Sequence, residues 1–331
     1  MAKNKAKTHY IIDQSYLEGL IKKALKVKKL SKVSVYPVKV RLTPNFEHVV
    51  LAVKARLPSG KKLGLYAMGH SSGIKKRLFD ILKFFQARAG KTKLRVPEPL
   101  IYDPKTKSII YKELSGPNLY AMFEKKKTGL VPVFSAFGRA VSRIHALCPA
   151  KIFKKEKHTT AELDPSRIMR DIDKRDRGLF KRIIRVKGAL ARQHPRIFKG
   201  SKPYVLVHGD LHPENVILLN KNFKNPRLGI IDVENANLYF RSYDLGSFLE
   251  QVKIMATPYY TVKQIDAFQK AFLDAYLKSA KIKMTPGLKK EITYYKAFFG
   301  IKAVIFYYRL GWHKKLKIIL KRVEKYIDEI K

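Results

Sequence analysis

The 331-residue sequence predicts an α+β protein: a small antiparallel sheet followed by a larger, mainly helical region. Three observations predict it. Residues 33–68 hold consecutive runs rich in β-branched and apolar residues, separated by turns, as half-buried strands do. Residues 204–231 hold a second set of short apolar runs around turn-rich segments. Beyond residue 261 the apolar residues recur at helical spacing almost to the end.

Taken in order, residues 1–12 read as a loose basic lead-in. Ser15-x-x-Glu18 has the form of a capping box. Leu17, Leu20, Ile21, Ala24 and Leu25 follow at helical spacing, so a helix is predicted over residues 15–29. Strands are predicted over 33–40, 46–57 and 63–68, joined by a turn at 41–45 and by Pro58-Ser59-Gly60-Lys61. Gly69-His70-Ser71-Ser72-Gly73 leads into a helix over 74–89. Small residues at a helix start cradle anions in some proteins, and cap an ordinary loop in more. Gly90-Lys91-Thr92 is not a P-loop, because Phe85 stands where the first glycine is needed. A short hairpin with its second strand at 108–111 precedes Ser115-Gly116-Pro117-Asn118, a turn that sets the lobe boundary, 1–114 and 115–331. A helix over 131–147 presents Phe134, Phe137, Val141 and Ile144 on one face. Asp164-Pro165 is a helix start, and Gly188, Pro195 and Gly200 divide the segment up to residue 201 into two helical pieces. Helices follow over 261–278, from Thr285-Pro286, and over 313–331.

The bulk properties exclude several classes. At 46% hydrophobic residues the chain can bury a substantial core. Its start does not resemble a signal peptide, and its most apolar stretch, 294–308, carries Lys296 and Lys302. That stretch is shorter than the ~18–20 residues a bilayer requires, so it reads as a buried helix and no membrane span is expected. One cysteine, Cys148, rules out an intramolecular disulfide and a cysteine metal site, and a cytoplasmic location is expected. The outlying number is charge: 70 basic minus 26 acidic residues gives +44. Such a field attracts polyanions, nucleic acid included, although a lysine-biased composition accounts for it equally well. From residue 174 to 202 there are eleven basic residues against one acid, Asp176.

The chemistry concentrates at Val207-His208-Gly209-Asp210-Leu211-His212-Pro213-Glu214-Asn215 and at Gly229-Ile230-Ile231-Asp232-Val233-Glu234. A strand delivers Asp210 into a polar loop, Asn215 closes the loop, and a hairpin returns the chain to Asp232. His-x-Asp, four residues, Asn, then a later Asp after an apolar strand is the catalytic-loop and metal-loop order of kinases. Phosphoryl transfer needs a carboxylate to orient an attacking hydroxyl, and oxygen ligands to hold Mg²⁺ against nucleotide phosphates. A polar hairpin with capped turns is the plainer reading. It requires both spacings to be coincidences.

These residues, with Asp244-Leu245-Gly246, resemble the aminoglycoside phosphotransferase and choline kinase superfamily, small-molecule kinases sharing the protein-kinase fold. The spacing from Ile231-Asp232-Val233-Glu234 to Arg241-Ser242-Tyr243-Asp244 is similar to the choline kinase branch. The strong motifs cover residues 206–246. The resemblance implies a bilobal protein-kinase-like fold and ATP-dependent transfer of the γ-phosphate to a hydroxyl of a small molecule. Asp210 is then the catalytic base and His208 sets the loop. Asn215 and Asp232 bind Mg²⁺, with Asp232 also on the ATP side. Asp244 braces the loop from behind, and Glu234 assists a second metal or touches substrate. Backbone groups at Glu113 and Leu114 are the expected adenine contacts, and His145 packs beneath the loop.

Two departures stand out. The turn at 41–45 has no glycine, and the third strand, Leu63-Gly64-Leu65-Tyr66-Ala67-Met68, has no lysine for the ATP phosphates. Lys54, on the preceding strand, is the candidate, or else an ordinary solvated lysine. An acidic pocket for a cationic acceptor would draw on Glu234, Asp244, Glu250 and Asp274. The competing reading is a non-catalytic or atypical kinase-like module that binds nucleic acid or ribosomes, or phosphorylates a protein. The charge and the missing lysine favour it; Asp210, Asn215 and Asp232 oppose it.

Overall fold

A computed structural model of the chain describes residues 8–43, 46–156, 163, 166–200 and 204–331. The chain divides into two compact units. The first comprises Met1–Pro117 with Ile217–Lys221 and Arg227–Glu234; the second comprises Asn118–Val216, Asn222–Pro226 and Asn235–Lys331. The sequence suggested a single cut at residue 114. The units instead change over between Pro117 and Asn118, and the strands following Asn215 return to the first unit.

The first unit begins with a short 3-10 turn, Thr8–Ile12, and helix α1, Gln14–Leu25. Residues 8–12 are therefore structured, with Thr8 and Ile11 buried, rather than a loose lead-in; residues 1–7 lie outside the described residues. The helix is shorter than the predicted 15–29, and its cap is Asp13, whose carboxylate accepts the Tyr16 N–H at 2.8 Å. The chain leaves α1 through Lys26 in the left-handed conformation, which stops the helix before residue 29. Strands β1 (Lys32–Thr43), β2 (Phe46–Arg56) and β3 (Lys62–His70) form consecutive antiparallel pairs. β1 runs into the predicted turn as far as Thr43; residues 44–45 lie outside the described residues. Helices α2 (Lys75–Gln86) and α3 (Ala89–Thr92) follow, then β4 (Leu94–Arg95), β5 (Pro99–Asp103) and β6 (Ser108–Lys112).

The main sheet has the order β1-β2-β3-β6-β5. Its two faces separate by the two-residue period of a strand. Val49, Leu51, Val53 and Ala55 of β2 and Leu65 and Ala67 of β3 are buried against Ile11, Leu17 and Ile21. Burying each large side chain of this set stabilises the unit by roughly 1.5–3 kcal/mol. The opposite face carries His48 and Lys54 on β2, and Tyr66, Met68 and His70 on β3.

The second unit opens with α4 (Leu119–Glu124), capped by Asn118, and α5 (Val131–His145). Phe134, Phe137, Val141 and Ile144 of α5 are all buried. Next come α6 (Ser166–Arg175) and α7 (Arg177–Ile197). The predicted start at Asp164-Pro165 lies outside the described residues. The basic segment is not split at Gly188 or Pro195: α7 runs through both, and the break falls at Asp176, whose carboxylate caps α7 by accepting the Leu179 N–H at 2.9 Å. Pro195 sits in the last turn, where little helix remains for it to interrupt.

Short strand β7 (Val205–Val207) leads to the loop of interest, and β8 (Val216–Leu218) and β9 (Leu228–Ile230) follow it. β9 lies between β8 and β4, running parallel to β4, while β7 pairs with β10 (Asn237–Tyr239). Helices α8 (Arg241–Ala256), α9 (Val262–Ala280), α10 (Pro286–Arg309) and α11 (His313–Ile330) complete the chain. The aromatic stretch 294–308 lies within α10, and Tyr294, Tyr295, Phe298 and Phe299 pack in the core. Close helix contact in this unit rests on glycine: a Cβ on Gly138 of α5 would lie 2.1 Å from the Phe272 carbonyl oxygen of α9.

Candidate active site

The predicted site residues fall into two groups, one in each unit. In the second unit, β7 ends at Val207 and the loop His208–Asn215 begins with a forced backbone. Gly209 has φ +84°, and a Cβ there would meet the Asn235 carbonyl oxygen at 2.4 Å, so glycine is required by both conformation and space. Asp244, in the first turn of α8 and 1% exposed, accepts the His208 N–H at 2.7 Å and the Gly209 N–H at 3.1 Å. His145, at the end of α5, lies with Nε2 3.1 Å from the same carboxylate, and its Nδ1 is 2.8 Å from the Tyr276 hydroxyl. Burial alone would raise the Asp244 carboxyl. The His145 hydrogen bond, the nearby imidazoles and the His208 N–H outweigh it and hold the pKa below the usual value.

The rest of the loop is tied to itself. The Asp210 N–H donates to His208 Nδ1 at 3.2 Å, and the Ser247 hydroxyl donates to the Leu211 carbonyl at 3.1 Å. Pro213–Asn215 form one 3-10 turn. Asn215 is 4% exposed; its amide nitrogen donates to the Asp210 carbonyl at 2.9 Å and contacts His212 Nε2 at 3.0 Å. That leaves the amide oxygen as the Asn215 atom suited to a cation. The Asp210 side chain is 41% exposed, with His212 Nε2 at 3.9 Å. A fixed backbone thus presents an accessible carboxylate.

In the first unit, β9 delivers Asp232 in the left-handed conformation, φ 59°. Non-glycine residues seldom adopt it, and it marks a sharp change of chain direction after the strand. Glu234, two residues on, accepts from Lys75 Nζ at 2.6 Å. Lys75 is 2% exposed. Arg77 of the same helix donates to the Glu234 carbonyl at 2.5 Å. Glu234 is therefore engaged by α2 through one carboxylate oxygen and its carbonyl.

Beside this pair stand His48 and His70, ring centroids 5.2 Å apart, with Phe46 edge-on to His70. His48 Nε2 is buried with no hydrogen-bond partner among the described residues. Burial, then Lys39, Lys75 and His70, push the His48 pKa down to about 4. Tyr66 and Tyr111 stack at 5.7 Å, and the Tyr111 hydroxyl meets Met68 Sδ at 2.9 Å.

Lys54 lies elsewhere. It is exposed, its ammonium 5.5 Å from the Tyr36 ring centroid, and it pairs in register with Gly64, whereas His48 pairs with His70. Six residues of extended strand separate Lys54 from His48, roughly 20 Å. The Glu113 N–H donates to the Gly64 carbonyl at 2.9 Å and is not available to a base. Leu114 packs against Gly229.

The four carboxylates of the expected acidic pocket each have a partner of their own. Glu234 pairs with Lys75 and Asp244 holds the loop. Glu250, fully buried, accepts from Arg322 at 2.5 Å and Tyr326 at 3.1 Å, and Asp274 pairs with Lys270 at 2.5 Å. The donors suited to Mg²⁺ are the Asn215 amide oxygen and the Asp232 carboxylate, hard oxygen atoms of the type this ion takes alongside phosphate oxygens. No cluster of three or more His, Cys, Asp or Glu side chains able to hold a metal occurs among the described residues.

The model of the phosphotransferase enzyme family matches residues 76–286. The chain belongs to this family. It is a phosphotransferase, an enzyme that passes phosphate to a hydroxyl group. Among solved structures, the phosphotransferase is similar to a choline kinase from Cryptosporidium parvum Iowa II: 15% identity, 96% of each chain covered, TM-score 0.65. It is also similar to the choline kinase LicA from Streptococcus pneumoniae, with 14% identity, 95% of this chain and 99% of that one, TM-score 0.57. A GDP and kanamycin complex of APH(2")-IIia matches at 12% identity over 95% of this chain and 98% of that one, TM-score 0.58. The fold is the mixed α+β, protein-kinase-like fold of these enzymes. Among curated proteins no relative matches the sequence. No described helix of the phosphotransferase is long and apolar enough to cross a membrane.

Sequence reasoning missed Lys75 and Arg77. The signal was present as a basic start to α2 directly after Gly69-His70-Ser71-Ser72-Gly73, but no spacing rule links that position to Glu234.

Proposed function

We propose that the phosphotransferase moves the γ-phosphate of ATP to a hydroxyl of a small molecule, with Asp210 accepting the hydroxyl proton. The supporting observation is the loop at β7: Asp244 and His145 fix its backbone, while the Asp210 carboxylate stays accessible. A base for this reaction needs that combination of fixed position and open approach. Asn215 and Asp232 are assigned to Mg²⁺, which when bound supplies positive charge against the transferring phosphates. The nucleotide and small-molecule assignments are supported by the GDP and kanamycin complex and by the choline kinases.

The phosphate-side cation in this reading is Lys75 rather than Lys54. An ammonium has three N–H donors, so one bond to Glu234 leaves two for phosphate oxygens. Glu113 and Leu114 remain the proposed adenine contacts, through groups other than the Glu113 N–H.

The test is a label-transfer screen from γ-labelled ATP across hydroxylated metabolites, with Asp210→Asn as the control. A general base contributes about 10²–10⁴-fold, so the variant should lose at least a hundredfold in turnover with nucleotide affinity retained. Wild-type turnover in Asp210→Asn removes the assignment.

A further inference from the structure

A cavity of about 1240 Å³ lies in the second unit, lined by α6, the start of α7, the end of α10 and the turn into α11. Arg167, Arg170, Lys174 and Arg309 line it without an acidic partner among the described residues. Two acids line it as well. Asp171 is held by Arg175 at 2.8 Å, and Asp176 caps α7. Five basic side chains, Arg167, Arg170, Lys174, Arg175 and Arg309, thus share the lining with two carboxylates, Asp171 and Asp176, which leaves an excess of positive charge in a concave space. None of these residues belongs to the His208–Asn215 loop, and the basic run at residues 174–202 contributes Lys174 and Arg175 to the lining.

Like charges gathered in a cleft repel one another and raise the local potential, and a bound anion relieves both effects. Guanidinium groups present paired N–H donors that match phosphate oxygens two at a time. A single phosphate is small beside this volume, which suits a ligand of small-molecule size. Single-stranded nucleic acids are held by a basic groove together with exposed aromatic platforms. Here the lining tyrosine, Tyr308, is buried, its hydroxyl 3.5 Å from the Asp171 carbonyl.

We propose that this cavity is a second ligand site of the enzyme, taking a small molecule that carries two or more phosphate groups. It is independent of the assignment of Asp210, so the two stand or fall separately.

The probe is inorganic pyrophosphate, titrated calorimetrically into the full chain. The comparison is between Arg170→Ala/Arg309→Ala and Lys221→Ala/Lys224→Ala, which removes the same charge from the turn between β8 and β9. All four side chains are exposed, so both variants should keep the fold. Losing two charged hydrogen-bond donors should weaken pyrophosphate binding about tenfold or more, with the lysine variant unchanged. An arginine variant that binds like wild type overturns the site. Equal weakening in both variants also overturns it, since the net charge alone then accounts for the binding. A twenty-nucleotide single-stranded RNA that displaces pyrophosphate at stoichiometric concentration, and loses affinity in the arginine variant, makes the face a nucleic-acid surface instead.

Discussion

Lys75 is the residue that reorganises the reading of this enzyme. A lysine with 2% exposure costs several kcal/mol to bury alone, and a carboxylate at 2.6 Å offsets that cost. Lys75→Met should therefore weaken ATP binding by tenfold or more and lower thermal stability, because Glu234 is left without its partner. Lys75→Arg should recover part of both. Lys54→Met should leave ATP binding unchanged, since Lys54 is solvated over Tyr36. Equilibrium titration of the three variants with ATP decides between the lysines. The contrast shows what could be read in advance. His208, Asp210 and Asn215 stand out because one loop must supply them at fixed spacing, and the structure gathers those three in one tied loop. Lys75 meets Glu234 across 159 positions of sequence, and a contact of that kind leaves no local pattern.

Among the elements, those with long periodic patterns were legible and short ones were not. β1, β2 and β3 and the last three helices match their predicted positions closely, because each is nine or more residues long and bounded by turn or capping residues. β4 and β10, of two and three residues, exist only through their pairing with β9 and β7. The capping of α1 went to Asp13 rather than Ser15, a two-residue difference that side-chain geometry decides. The outward face of β2 and β3 carries its own pH dependence. His48 is neutral in the fold because burial, then Lys39, Lys75 and His70, hold its pKa near 4, against 6.5 when free. A lowered pKa means the unfolded chain binds the proton more tightly, so this contribution to stability is complete above pH 6.5 and is lost as pH falls towards 4. Denaturant midpoints measured between pH 7 and 4.5 should fall less steeply in His48→Gln than in wild type. Parallel curves would show that His48 contributes nothing to that slope.

At the scale of the whole molecule, the division into a sheet-bearing unit and a helical unit followed from the sequence, whereas the return of residues 217–221 and 227–234 to the first unit did not. That return depends on β9 finding β4, a parallel pair that periodicity cannot announce. The net charge of +44 was visible from composition, but only the fold shows where basic side chains gather around a cavity. A distant lever on the reactive loop is built into the helical unit as well. Gly138 seats α5 on α9, two turns before His145 and against the backbone at Phe272 and Tyr276, the second of which also holds His145 through its hydroxyl. Adding a single methyl group in Gly138→Ala would make α5 ride outward and draw the imidazole away from Asp244. Turnover should then drop without any change to a group that touches substrate, which steady-state kinetics of the variant would measure. The seam between two helices therefore acts as a tuning screw for chemistry about 10 Å down the helix axis.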